Sequence, residues 1–490
     1  MISIEIKGKR FDLSQNVSFA IKSENPFLVN DYIPGPVVYS VSGVISSQNR
    51  IITEYADQLS NAKRKLVFEN VLVYIGGQVW REGIMKLKKA SSSGYNFSFY
   101  SDAGDAKSRI ENKRLPDLVL EEGVTVDDQS ADYFPTAKHV FFPVYNPDFY
   151  GNKNTDYLGY MNYFHAGTFG VNVATNAHVK VPFIYALYVL QECFKEMGYS
   201  QISGAIFEDE DAQRQIIFNT NSLDLLNGSG INVMKTTFDY VDHLPDITIS
   251  DFVIDTCIVL GVTPIFNSLA KSVNLVSLQS FMGDVSAKDY TNRASEEYEI
   301  TPNEYDGVNF VMRADSRDKS LEENSDWLEY KVGNGKENLD TMASTLQMAL
   351  NLADSINSKT WTVPQVLQQG NSAPFELNNR QRALRFLYFT GNGTDSASNN
   401  YPLGHWQGIT TDLRWEGFKG LVEKRYKTWL AFKAITETVE FDLDIELIDL
   451  LNFDFAKKIN AYYLRFIVEE YSTTIKNDGL DTLRIVAKTF

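Results

Sequence analysis

The sequence is short of the residues that do chemistry. Its two cysteines, Cys193 and Cys257, are too far apart for a CxxC metal pair, and two are too few for a disulfide framework. Both are expected inside helices as small buried apolar groups. The five histidines, His139, His165, His178, His243 and His405, show no metal-ligand spacing, so each is expected to be a structural or surface imidazole. GxSxG, HExxH, GxxxxGK and a GxGxxG following a strand are all missing, which removes the commonest hydrolase, zincin and nucleotide-binding fingerprints. No run of about 18 apolar residues occurs, and Met1 to Arg10 alternates like a strand where a signal peptide would be continuously apolar. The reading is a protein made in the cytosol, not exported by that route and without a membrane-spanning helix. Basic residues are in deficit, 46 against 63 acidic for a formal charge of -17, which speaks against a sequence-specific duplex binder. The acidic excess leaves two uses open: solubility, or a channel wall past which nucleic acid slides.

Aromatic residues, by contrast, are plentiful: 31 Phe, 26 Tyr and 6 Trp suit sheets and large contact surfaces. At 490 residues the chain should divide into roughly three or four domains. The expected class is α+β and β-rich, with antiparallel barrel or sandwich domains and a few amphipathic helices. Residues 1–130 read as an N-terminal β domain: Ile2, Ile4 and Ile6 share one face, and Val71 to Ile75 enters a Gly76-Gly77 hairpin turn. Ile51 to Leu66 reads as a helix within it. Residues 131–280 read as an α+β domain with two helix–strand units. Pro182 opens a helix with an apolar stripe through Leu187, Leu190 and Phe194. Thr248 caps a second, Phe252 to Leu260, which Gly261 ends before a hairpin over Val262 to Leu278. Residues 281–400 read as a peripheral acidic β-rich domain, in which Leu339 to Ile356 has helical spacing with an extended alternative open. Residues 401–490 hold a helix from Gly420 to Phe432 and further strands, packing with the N-terminal domain.

Weak chemical candidates remain. Asp148, Asn152, Asn154 and Asp156 gather oxygen donors around Gly151, either for a hard cation or as a turn-rich loop, but lack the bidentate glutamate of an EF-hand. Glu208 to Asp211 reads as a helix start. Near the C-terminus, Val439, Phe441, Leu443, Ile445 and Leu447 alternate with Glu440, Asp442, Asp444 and Glu446, a strand with a wholly acidic outer face. That face is solvated, or else forms a lumen or interface wall or a cation row. Trp406, Trp415 and Trp429 are the aromatic anchors of the last quarter. No catalytic, cofactor-binding or metal residue is assigned, and no cofactor is expected.

Several segments in order carry a resemblance: Phe11-Asp12-Leu13-Ser14 with Ile33-Pro34-Gly35; Val71 to Glu82; Val144-Tyr145-Asn146-Pro147 before Pro182; Leu244 to Phe252; Tyr401-Pro402-Leu403-Gly404; Leu413-Arg414-Trp415-Glu416-Gly417; and Leu450 to Asp454. In these packing and turn motifs, over nearly its whole length, the chain resembles tail-tip or baseplate hub proteins of phages and prophages of the Bacteroidetes group, distant relatives of contractile-tail hubs. The resemblance implies a structural virion protein at the tail tip, built on β-barrel domains that associate as a ring, commonly a homotrimer. Such a ring continues the tail tube and meets tape-measure, spike or fibre proteins in host-cell attachment. It carries over no active-site residue, and no appended lysozyme or peptidase domain is recognisable here. Two other readings stay open on the residues: a tail-associated hydrolase of envelope polysaccharide or peptidoglycan using a carboxylate pair, and a carbohydrate-binding adhesin using Trp406 and Trp415.

Overall fold

The computed structural model describes the chain apart from residues 1, 15–17, 29–36, 62–64, 128–130, 152–156, 171–178, 227–231, 322–324, 355–357, 374–381 and 477–478. Alternation builds its first sheet. In β1 (Ile2–Ile6) the three isoleucines are buried, and a left-handed Lys7-Gly8 pair turns the chain into β2 (Lys9–Phe11). Next come β3 (Phe19–Glu24), β4 (Val37–Gly43), α1 (Ser47–Ile52), β5 (Val67–Ile75), β6 (Gln78–Ser91) and β7 (Gly94–Ser101). The sheet runs β2-β1-β5-β6-β7-β4, with Gly76 (φ 61°) and Gly77 (φ 85°) making the β5–β6 turn. Leu13 bridges Gly43, so the chain just after β2 reaches the β4 end and the sheet curls on itself. Gly83 permits the crowding in β6, since a Cβ there would lie 1.9 Å from the Tyr100 carbonyl oxygen. The helix expected over Ile51 to Leu66 is replaced by the shorter, earlier α1. Glu54 and Tyr55 both take left-handed φ and break it, while Asp57 turns back to Arg50 at 3.0 Å and accepts the Tyr95 hydroxyl at 2.7 Å.

The largest core fills the middle of the chain. Its sheet holds Phe183–Tyr185 between His139–Val140 and Gln215–Ile217, with Leu384–Thr394 and Ala343–Thr345 beyond. Phe183–Tyr185 is wholly buried and paired on both edges, so α2 (Ala186–Glu196) starts four residues after Pro182 and not at it. α3 (Ile249–Leu260) matches its sequence signals: the Thr248 hydroxyl accepts from Asp251 N at 3.0 Å, and Gly261 closes it at φ 62°. The hairpin Val262–Asn267 with Ser272–Ser277 follows. Residues 337–354 take the extended alternative, as three strands, because Thr and Ser there satisfy other backbone groups: Thr345 Oγ1 donates to Phe386 O at 2.8 Å. Inside Leu384–Thr394 the buried Arg385 guanidinium meets Asp318 at 3.1 Å and Gln368 at 2.8 Å, tying three distant segments together.

The last sheet uses β8 (Ala287–Asp289), β9 (Ala294–Thr301), β10 (Thr438–Leu443), β11 (Lys458–Ala461), β12 (Leu464–Ile475) and β13 (Leu483–Thr489), in the order β8-β11-β12-β13-β10-β9. Between β9 and β10, a π turn over Val422–Tyr426 leads into α4 (Lys427–Ile435), and the helix expected from Gly420 to Phe432 is thus displaced by a few residues. α5 (Leu447–Leu451) lies between β10 and β11. The run Ile459 to Val468 is split by a tight turn at Tyr462 (φ 49°) and Tyr463 (φ 62°), which lacks the usual glycine or asparagine signal.

The two terminal sheets repeat one pattern. β4, α1, β5, β6 and β7 lie in the sheet order β5-β6-β7-β4; β10, α5, β11, β12 and β13 lie in the order β11-β12-β13-β10, antiparallel throughout. The Gly76-Gly77 and Tyr462-Tyr463 turns occupy the same place in the two copies. They share one core, in which Ile4, Phe97 and Phe99 join Phe441, Phe466 and Ile485, each such side chain contributing about 1.5–3 kcal/mol. β3 crosses over and pairs antiparallel with β12 from Phe19↔Ile475 to Glu24↔Glu470. The two ends of the chain are thus one packed body.

Candidate assembly surfaces

The acidic strand is β10, and its period-2 pattern places Val439, Phe441 and Leu443 in the core. Glu440 is half-buried and Asp442 exposed. The strand stops at Leu443, so Asp444 and Glu446 lie beyond the sheet, although burial goes on alternating through Ile445 and leaves both carboxylates in solvent. Glu446 instead caps α5, where its amide donates to Asp449. Of the four, Glu440 is tied to Arg484 at 2.7 Å and Glu446 lies 3.7 Å from Arg293; Asp442 and Asp444 have no ion pair within 4 Å among the described residues. Glu299 of β9 stands directly opposite Glu440, and Arg484 opposite Asp442. The Arg484 guanidinium is pushed up by Glu440 first, then by Asp442 and Glu299, the response of one cation among three carboxylates.

The three aromatic anchors differ. Trp415 and Trp429 are buried, with ring centres 5.1 Å from Phe310 and 6.1 Å from Tyr426 respectively. Neither can stack on a sugar. Trp406 is partly exposed, and the Arg414 guanidinium lies over it at 3.9 Å and over Trp327 at 4.8 Å. Sequence reasoning missed what fixes the loop between these tryptophans. Buried Asp211 accepts from Ile409 N at 2.6 Å, Thr410 N at 2.8 Å, Thr410 Oγ1 at 2.6 Å and Thr411 N at 2.9 Å. The signal available was the Glu208–Asp211 run, whose Asp209 does cap the short helix Glu210–Arg214.

Chemistry elsewhere is subdued by burial. His139, 3.0 Å from the Tyr240 hydroxyl through Nδ1, and His405 are both depressed to about 4, by desolvation first. His243 is buried, His165 half-buried, and His178 lies outside the described residues. Desolvation pushes the Cys257 thiol up to about 12 and Cys193 upward as well, so neither is a nucleophile. Asp255 is raised to about 6 by burial against the hydrogen bonds it accepts from Thr341 and Met342. Asp148 lies 3.5 Å from Lys319, and Asn152, Asn154 and Asp156 lie outside the described residues. Among the described residues no three metal-ligating side chains converge. A cleft of about 410 Å³ opens between the terminal sheets and the middle core, lined by Tyr39, Arg81, Asp102, Phe453, Phe455 and Tyr471. Its Asp102 is committed to Arg81 at 3.0 Å and to Ser268.

No family model and no curated protein matches the chain. Among solved structures it is similar to a tail protein from Neisseria meningitidis MC58, with a TM-score of 0.37, 9% identity, and 99% of this chain and 95% of that one covered. It is also similar to the 43 kDa tail protein of prophage MuSo2 from Shewanella oneidensis, with a TM-score of 0.37, 8% identity and coverage of 99% and 95%. A third is an E. coli component of the type VI secretion system that exhibits structural similarity to T4 bacteriophage tail proteins gp27 and gp5, at a TM-score of 0.34, 5% identity and coverage of 99% and 76%.

Proposed function

We propose that the chain is a structural, non-enzymatic component of a phage-type tail tip or baseplate, a hub ring that continues the tail tube and holds spike or fibre proteins in the virion. One observation carries this reading: the chain contains the same curled sheet twice, welded by β3 and a common core. A protein with two like units side by side is a prefabricated arc, and repetition of that arc about an axis closes a ring. Three copies present six units around one opening. The ordered sequence motifs support the tail assignment, and the buried or desolvated state of His139, His243, His405 and the two thiols supports a role without bond-breaking. In this ring Glu440 and Asp442 are lumen or interface groups. The test is single-particle imaging of the purified protein or the assembled tail. A closed ring with three-fold symmetry and a central opening is expected; a monomer in the assembled particle overturns the reading.

A further inference from the structure

We infer that the edge strand β9, with the hairpin tip at Tyr463, is the surface by which one copy docks on the N-terminal unit of a second copy, head to tail. The inference rests on the ring reading above and adds the contact that would close it. β9 pairs with β10 on one side, and no strand pairs with its other edge among the described residues. Glu296 to Thr301 are all exposed, on both faces. Edge strands are commonly protected by charge, and Glu296, Glu297 and Glu299 would serve that end. The rest of the strand does the opposite. Tyr298 stands opposite Phe441 and Ile300 opposite Val439, so both lie on the core-facing side of the sheet, yet they are 55% and 53% exposed. The apolar inner face therefore runs past the core and ends uncovered.

The hairpin tip extends that patch. Tyr462 donates its hydroxyl to Ser295 O at 2.6 Å and its ring lies 5.2 Å from Tyr298, while Tyr463 and Leu464 stand 94% and 58% exposed. Tyr462 and Tyr463 hold left-handed backbone where the other copy of the fold uses Gly76-Gly77. A bulky aromatic kept in a strained turn that glycine fills without strain points to work for the side chain outside its own chain.

Charge names the partner. Between 37 and 101 the sequence has eight basic and four acidic residues; between 438 and 489 it has six basic and ten acidic, and β9 adds three glutamates. The two copies of one fold thus carry opposite net charge. On the N-terminal unit, Lys65, Lys88 and Lys89 are exposed with no ion pair within 4 Å among the described residues, beside the exposed Val67. An acidic, apolar edge on one unit and a basic face with an apolar neighbour on the other make a contact between unlike surfaces. Such a contact repeats from copy to copy and closes when the rotation allows.

The experiment measures assembly mass by mass photometry over a concentration series, with melting as the folding control. Variant one reverses the edge (Glu296→Lys, Glu297→Lys, Glu299→Lys), variant two the face (Lys65→Glu, Lys88→Glu, Lys89→Glu), and variant three combines both. Variants one and two are expected to weaken assembly by at least about tenfold with unchanged melting, and variant three to recover it. Tyr463→Gly should relieve strain and melt no lower, yet assemble more weakly. Wild-type rings with all three charge variants assembling equally would overturn this contact and leave the ring reading standing. A wild type that stays monomeric at every concentration would overturn both.

Discussion

At the scale of single residues, burial sets the acid response of this protein. His139 and His405 titrate near 4 in the folded chain and near 6.5 when unfolded, so folding expels their protons. Their contribution is whole above pH 6.5 and disappears as the pH falls toward 4, by up to about 3 kcal/mol for the more buried His139. Urea midpoints measured from pH 7.5 to 4 should fall accordingly, and His139→Phe, which keeps a ring in the aromatic pocket but loses the Tyr240 hydrogen bond, should flatten part of that slope. Asp255 has the opposite sign. Its folded value near 6 lies above the unfolded carboxylate, so its burial is penalised at neutral pH and the penalty lifts as pH drops from about 6 to about 4. Asp255→Asn keeps the Oδ1 acceptor for Thr341 and Met342 and removes the buried charge. The stability of the wild type minus that of the variant should therefore rise by about 1–3 kcal/mol over that interval. A flat difference curve would mean that Asp255 is solvated in solution.

Among the elements, the loop of residues 405–420 depends on one carboxylate that is remote in sequence. Asp211→Ala would orphan four donors at 409–411, with an expected loss of about 2–4 kcal/mol and earlier proteolytic cleavage of that loop. Unchanged cleavage would show the loop to be held by its tryptophans instead. This contact was invisible in sequence because its two ends are about two hundred residues apart. Local signals are plainer. α3 was legible because Thr248 and Gly261 act within one helical turn of its ends, and the Gly76-Gly77 hairpin because the turn needs only its own two residues. Where sequence reading failed, a neighbour decided: Phe183–Tyr185 became a strand through edges supplied by His139 and Ile217, and 337–354 became extended through partners such as Phe386. The Tyr462-Tyr463 turn failed for another reason, since its residues are poor turn formers. Of the acidic stripe, the alternation was legible and the end of the strand was not, because Glu446 reads equally well as strand or helix cap.

Across the whole molecule, the two like units unfold together or separately according to whether they form one body. Each is a curled sheet of familiar size, and separate β units of this kind often unfold in separate steps. Here the N-terminal chain enters the C-terminal sheet. Asn25 Nδ2 donates to Val468 O at 2.6 Å and its backbone amide to Glu469 O at 2.8 Å, after which the chain passes to the middle core, where Phe27 stacks on Phe281 at 3.9 Å. With β3 added to the sheet, and Ile21 and Phe19 in the same core as Ile485, removing either unit would bare the apolar face of the other. Native-state hydrogen exchange should therefore report the same opening free energy for the central amides of β6 and β12, although they belong to different units. The substitution Asn25→Ala should lower both together, by about 1–3 kcal/mol, since it removes a buried hydrogen-bond clamp on that strand. If β6 kept its protection while β12 lost it, the units would be independent domains tethered by a strand. The arc from which the ring is built would then be hinged, and the spacing of units around the opening would be set by contacts between copies instead of by the fold of one chain.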